Sequence, residues 1–180
     1  MELSSLTQIV KKAQTAYNKG DYGEAANLFE CAAKEYSTAE YPLIAAEMQN
    51  NQCVALLKAG QPSEALETVR GTENVFETAG ETKHQAMALA NIGAALDDLR
   101  RSIDAMQAYN QSAELFKQIG EGELRADVLE RISILQIRSG KGIESLITME
   151  AAIDSKDKPS LRDRVFKGLM GKVRRLSGQS

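Results

Sequence analysis

"NKGDYGEAANLF", residues 18–29, sets a glycine in a polar turn, then an aromatic, the pair Glu24–Ala25, and Phe29 one helical turn beyond. Whether this is one loop opening one helix or one copy of a repeat decides the fold. A step of 40 residues from Gly20 lands on Gly60, Arg100 and Gly140. Each is followed by a short polar turn and an acidic-then-small pair: Glu24–Ala25, Glu64–Ala65, Asp104–Ala105, Glu144–Ser145. The same step joins Phe29, Val69, Tyr109 and Met149, all large and apolar, and Ala13, Cys53, Gly93 and Ser133, all small. Ala46, Ala86 and Ala126 form a further column, as do Tyr36, Phe76 and Phe116. Four copies align without a gap, the signature of a repeat array.

Each copy reads as two helices. In the third, Ala86, Leu89, Ala90, Gly93 and Leu96 fall on one face at spacings of three and four, and Ile103, Met106, Tyr109, Ala113 and Phe116 repeat that logic. Pro62 and Pro42 sit where a first helical turn tolerates a missing N–H. Gly80 and Gly120 mark helix ends. The small-residue columns let neighbouring backbones approach closely.

These residues carry a resemblance. "AQTAYNKGDYGEAANLFECA" and "NIGAALDDLRRSIDAMQAYNQSA" resemble the tetratricopeptide repeat (TPR), over roughly residues 5–155. The period departs from the standard of about 34 residues; at 40 it is similar to a long-repeat branch that includes scaffold proteins and soluble membrane-fusion adaptors. The resemblance implies an all-α fold, an α-solenoid of four antiparallel helical hairpins (about 1–40, 41–80, 81–120 and 121–157) in a TPR-like right-handed superhelix. A basic amphipathic segment, 158–180, follows.

That last segment opens at Pro159 and carries a stripe of Leu161, Val165, Leu169, Val173 and Leu176. One reading is a capping helix that covers the fourth hairpin, as terminal repeats require. The other is a basic surface for anionic membrane or an acidic partner, formed by Arg162, Arg164, Lys167, Lys172, Arg174 and Arg175. Gly168 and Gly171 weaken this helix.

Hydrophobic residues at 43% and charged residues at 26% fit a soluble globular protein, and aromatics at 5% with no Trp argue against a β-sandwich. No apolar run approaches the roughly 20 residues of a membrane span. The start "MELSSLTQIVKKAQ" lacks the apolar core of an export signal, and two cysteines without metal spacing fit a cytoplasmic setting. The net charge of −3 is uneven: from Asp157 onward seven Lys/Arg face two Asp, leaving −8 for the remainder. An acidic body of that kind does not embrace nucleic acid.

Chemistry is sparse. His84 stands beside Lys83 with no second histidine in the chain, so a surface role is expected and no metal site. Cys53 occupies a packing column, and nothing activates Cys31. No Gly-rich phosphate loop is present, and Asp97–Asp98 point in different directions on a helix. The sequence reads as non-catalytic and without cofactor.

The resemblance then implies a concave groove lined by first helices. By position it would include Lys11, Asn51, Asn91 and Arg131, with Gln14, Tyr17, Asn50, Met87 and Asp97 as neighbours. Asparagine both donates and accepts, so a ladder of such amides can pair with a peptide backbone, or can instead satisfy carbonyls of adjacent helices. The positions at which related repeats grip chaperone C-termini hold Val10, Gln14, Asn51, Met87 and Asn91, without the cationic clamp. The expected function is a protein-interaction scaffold or adaptor holding a peptide or partner helix. The alternatives are a peripheral membrane adaptor using the basic tail and a self-associating module.

Overall fold

The turns between helices are set by residues in the left-handed region. Gly20, Gly60, Gly80, Gly120 and Gly140 have φ between 73° and 89°, and Arg100 and Glu40 take the same conformation at 62° and 63°. At Gly60 the amide donates to the Leu57 carbonyl and the next amide, of Gln61, donates back to Leu56. This closes the preceding helix and turns the chain about. The same pair of bonds recurs at Gly20, Arg100 and Gly140, so the 40-residue sequence period is also a backbone period.

The computed structural model describes the backbone of residues 3–176 and the side chains of residues 6–172. Among the described residues all regular structure is helical, and two compact units, 1–115 and 116–180, are distinguished. The first contains α1 (Leu3–Lys19), α2 (Tyr22–Thr38), α3 (Pro42–Lys58), α4 (Pro62–Val69), α5 (Thr72–Thr78), α6 (Thr82–Asp98) and most of α7 (Ser102–Gln118). The second contains α8 (Gly122–Arg138), α9 (Gly142–Ser155) and α10 (Leu161–Leu176).

Small residues carry the packing in the first unit. Ala13, Ala25, Cys53, Ala65 and Ala105 are fully buried, on both helices of their hairpins. Gly93 shows why that column stays small: a Cβ there would lie 2.7 Å from the ring of Tyr109, so the missing side chain is the space the tyrosine fills. Burial pushes the Cys53 thiol up to about 12, which makes it an inert packing group. In the second unit the equivalent pair is Ser133 and Ser145, whose hydroxyls lie 2.8 Å apart and so satisfy each other.

One expectation is corrected. The second helix of the second repeat is not continuous but divides into α4 and α5, with Arg70 extended (ψ 132°) and Gly71 at φ 91°. The two pieces still span residues 62–78, as many positions as α2 or α7, so the break adds no residue and the repeat register survives. Gly71 is the cause available in the sequence, since a mid-helix glycine costs about 1 kcal/mol and alone opens the left-handed region freely. Its amide, lost to the helix ladder, donates to Glu73 Oε2 at 2.8 Å.

The terminal helix also differs from expectation. Leu161, Val165 and Leu169, expected to cover the fourth hairpin, are 71%, 55% and 57% exposed. The helix is held instead by the half-buried side of Phe166 and Met170 and by ion pairs. Lys156 reaches Glu130 on α8 at 2.9 Å and Asp163 on α10 at 3.5 Å, and Lys167 pairs with Asp154 on α9.

Candidate functional site

Two adjoining clefts open on the first unit. The larger, about 390 Å³, is lined by Gln14, Tyr17, Asn18, Phe29, Asn51 and Val54. The smaller, about 130 Å³, is lined by Glu47, Asn50, Asn51, Phe76, His84 and Met87. Asn51 belongs to both and joins them. The first cleft is made by α1, α2 and α3, the second by α3, α5 and α6. First-helix residues supply the polar groups, while Phe29 and Phe76, from second helices, supply an apolar floor.

The sequence-expected residues divide accordingly. Gln14, Tyr17, Asn50, Asn51 and Met87 line the clefts. Lys11 does not: it lines a different hollow, with Lys12, Lys19, Asp21 and Glu24, between α1 and α2. Asp97 is half-buried on α6. Arg131 is exposed on α8 in the second unit, where the step of 40 from Gln14 and Tyr17 reaches Ile134 and Ile137, also exposed. On α10, Arg162, Arg164, Lys167 and Lys172 are exposed, while the side chains of Arg174 and Arg175, like those of Val173 and Leu176, lie outside the described residues.

The asparagines are not equivalent, and the expectation of one amide ladder is corrected. Asn50 is only 9% exposed, and its Nδ2 donates to the Ala46 carbonyl and to Thr72 Oγ1, both at 3.0 Å. Its Oδ1 accepts from Asn91 Nδ2 at 3.0 Å. Thr72 in turn donates to the Val69 carbonyl at 2.8 Å, across the helix break. Asn91, Asn50 and Thr72 therefore form an internal relay that ties α6 to α3 and caps the end of α4. Buried polar groups need such partners, and those amide groups are committed to the fold. Asn51, half-buried, is left facing both clefts.

His84, expected on the solvated surface, lies in the smaller cleft. Its ring stacks on Phe76 with centroids 5.3 Å apart and planes at 28°. Nδ1 is 3.2 Å from Glu81 Oε2 and Nε2 is 3.8 Å from Glu47 Oε1. The step of 40 gives a signal for this, since it aligns His84 with Ile44 and Leu124, both apolar and half-buried.

Among the described residues, no Lys or Arg lines these two clefts, whose charged members are Glu47 and, when protonated, His84. Among the described residues, no group of three or more His, Cys, Asp or Glu is placed to hold a metal ion. The surface that remains is one of amides and a phenol over the buried rings of Phe29 and Phe76, suited to hydrogen-bonding a chain.

No family model and no curated protein matches the sequence. Solved structures do. The apo form of RapI is similar over 91% of this chain, with a TM-score of 0.76 at 17% identity, and this chain spans about half (47%) of RapI. A Podosopora anserina putative kinesin light chain of nearly identical TPR-like repeats is similar over 99% of this chain and 90% of its own, with a TM-score of 0.75 at 16% identity. A single-substitution form of that protein gives 0.74. This chain thus has the TPR-like helical-repeat fold.

Proposed function

We propose that the protein is a non-catalytic interaction scaffold that holds an extended peptide or a partner helix along the joined clefts of the first unit. One observation carries the reading: Asn51 is shared by two clefts that present amide and phenol groups above an apolar floor. Amides pair with a peptide backbone whatever its sequence, while Met87, Tyr17 and the aromatic floor select side chains. The cleft positions lack the cations that would grip a carboxylate terminus, so the ligand is read along its length. A rigid, preformed surface loses little entropy on binding. The two cysteines, neither of them in a disulfide, accord with a cytoplasmic setting.

The test is selection of peptides from a random library on the intact protein, followed by fluorescence-anisotropy titration. Asn51→Ala and Tyr17→Ala should each weaken a selected peptide by about tenfold, the scale of a lost hydrogen bond or aromatic contact. Both variants must melt as the parent does. Peptides that bind these two variants as tightly as the parent would place recognition elsewhere.

A further inference from the structure

The four first helices α1, α3, α6 and α8 carry polar residues in two columns. One is Thr7, Glu47, Met87 and Asp127, with Met87 the exception; the other is Lys11, Asn51, Asn91 and Arg131. The terminal helix α10 continues the series, but at a step of 38: Ile132–Ser133 recur as Met170–Gly171, and Ser139–Gly140 as Ser177–Gly178. The shortening fits α9, which has 14 residues where α2 and α7 have 17. Burial agrees with this register, since Phe166 and Met170 face inward where Val128 and Ile132 do. Arg164 and Lys167, exposed, replace the buried Ala126 and Leu129, so a flank that is buried on α8 is polar on α10.

The anomaly is on its other face. Val165 and Leu169 occupy the two polar columns, Leu161 lies one turn before them, and all three are more than half exposed. Spaced four apart, they form one aliphatic stripe. Exposed Arg162 and Arg164 lie to either side of it, and exposed Lys172 follows one turn after Leu169. Asp163, the one acidic residue between 161 and 176, is turned away to the Ser160 amide at 2.8 Å and to Lys156. The outward face is therefore aliphatic and cationic.

The hollow along this stripe, about 380 Å³, is lined by Leu161, Arg162, Val165, Phe166 and Leu169, all from α10 itself. A groove for a helix or strand needs a second wall, and among the described residues none of the lining comes from another element. A second copy offering the same helix would set Arg162, Arg164 and Lys172 against their own counterparts. What fits one helix flank bearing three aliphatic side chains between cations is a flat surface that is both anionic and apolar beneath. We propose that α10 docks the protein on anionic lipid, with Leu161, Val165 and Leu169 entering the headgroup–acyl boundary and Arg162, Arg164 and Lys172 meeting lipid phosphates. Attachment is peripheral and reversible: among the described residues no helix is long and apolar enough to cross a membrane. The docking face shares no residue with the clefts, so its failure and theirs are separable.

The experiment is co-sedimentation of the full chain with phosphatidylcholine vesicles, with and without phosphatidylserine. Binding should require phosphatidylserine and weaken with salt. Arg162→Gln/Arg164→Gln should lower the partition coefficient by about thirtyfold, from two lost lipid-facing cations, and Val165→Glu/Leu169→Glu should abolish binding. All four substituted positions are exposed, and unchanged circular-dichroism melting shows the fold intact. No binding to phosphatidylserine vesicles overturns the proposal. So does equal binding with and without phosphatidylserine, or indifference to either double variant. Light scattering that shows concentration-dependent self-association, lost in Val165→Glu/Leu169→Glu, would assign the face to a second copy and also overturn it.

Discussion

Residues 1–115 carry nine Lys or Arg against sixteen Asp or Glu, while residues 116–180 carry thirteen against nine. The apolar surface divides the same way. Among the described residues, the first unit exposes three large hydrophobic side chains, Tyr41, Met87 and Ile103. The second exposes nine, among them Ile134, Ile137, Ile143, Ile147 and the α10 stripe. One repeat logic therefore yields two surfaces. The first unit is acidic and closes its hairpins with alanine columns, leaving a polar cleft. The second is basic and keeps aliphatic residues in places where water alone gives no reason for them. Periodicity specifies how helices pack against each other but does not constrain outward positions, and those are where the two units diverge.

The sharpest break in the comparison should come from glycines that look alike in sequence. A Cβ on Gly122 would lie 2.1 Å from the Ser155 carbonyl oxygen, which is backbone and cannot rotate away. Gly122→Ala should destabilise the second unit by about 3 kcal/mol, at the upper end of overpacking costs, read as a lower melting transition. Gly142 meets nothing within 4 Å, and its alanine variant should melt as the parent does. Equal effects at the two sites would show that α8 and α9 shift freely against each other.

A second break lies in the first unit. Asn50→Ala removes the centre of the relay from Asn91 to Thr72 and should cost about 2 kcal/mol, since the partners stay buried with a bond missing. Asn51→Ala, one residue on and facing the clefts, should change melting by less than about 0.5 kcal/mol. The pair separates an asparagine that holds the fold from one that faces the cleft. If Asn51→Ala proved the more costly, the assignment of the two roles would be reversed.

The attachment of α10 sharpens the comparison from the other side. Asp163 is held below the usual carboxylate range, first by the Ser160 amide, then by the Ser160 hydroxyl and the Lys156 charge. The Lys156 ammonium is raised, chiefly by its bond to Glu130. Because Asp163 is depressed in the fold, its contribution is present above the ordinary Asp value of 3.8 and lost as pH falls through the lowered one. Lys156, raised, contributes fully below 10.5 and loses that contribution as pH climbs through its folded value. Between those limits the amide NMR signals of Ser160 to Lys172 should hold still, and they should move at the acidic end. Lys156→Met should loosen the same residues, leaving the first unit unchanged.

Much of this was legible in the sequence because repeats report on packing. Four aligned copies of Gly20, Ala25 and Phe29 specify the turns, the small-residue contacts and the hairpin order before any coordinate. Three features do not follow. The break at Gly71 is a one-copy event, invisible to a column that holds Cys31 and Gln111 elsewhere, although a glycine inside a helical pattern is the warning. The relay of Asn50 meets that break, because its partner Thr72 Oγ1 also bonds the Val69 carbonyl across it. The α10 stripe is plain in the sequence but its direction is not, since amphipathicity states that a face is apolar and not which neighbour it meets. The step of 38, which turns it outward, breaks the gapless period. In the candidate site, register places Gln14, Tyr17, Asn51 and Met87 and aligns His84 with half-buried apolar residues, whereas Lys11 lines another hollow because a long side chain chooses its own direction.

The smallest expected effect tests the period itself. Arg100 stands where Gly20, Gly60 and Gly140 stand, and it takes their left-handed conformation at φ 62°. A Cβ on an L-residue costs about 1 kcal/mol there, while glycine in the same turn loses more chain entropy on folding. The conformational strain is local, whereas the Schellman bonds, from the Arg100 amide to Asp97 and from the Arg101 amide to Leu96, are backbone and survive substitution. Arg100→Gly should therefore stabilise the protein by about 0.5 kcal/mol, the difference of those two terms. Arg100→Val should destabilise it by more, because a β-branched residue suits the left-handed region least. Paired chemical denaturation curves would measure both. A stabilising valine or a destabilising glycine would mean that the Arg100 side chain itself supports the turn, and that the third turn is not a copy of the others.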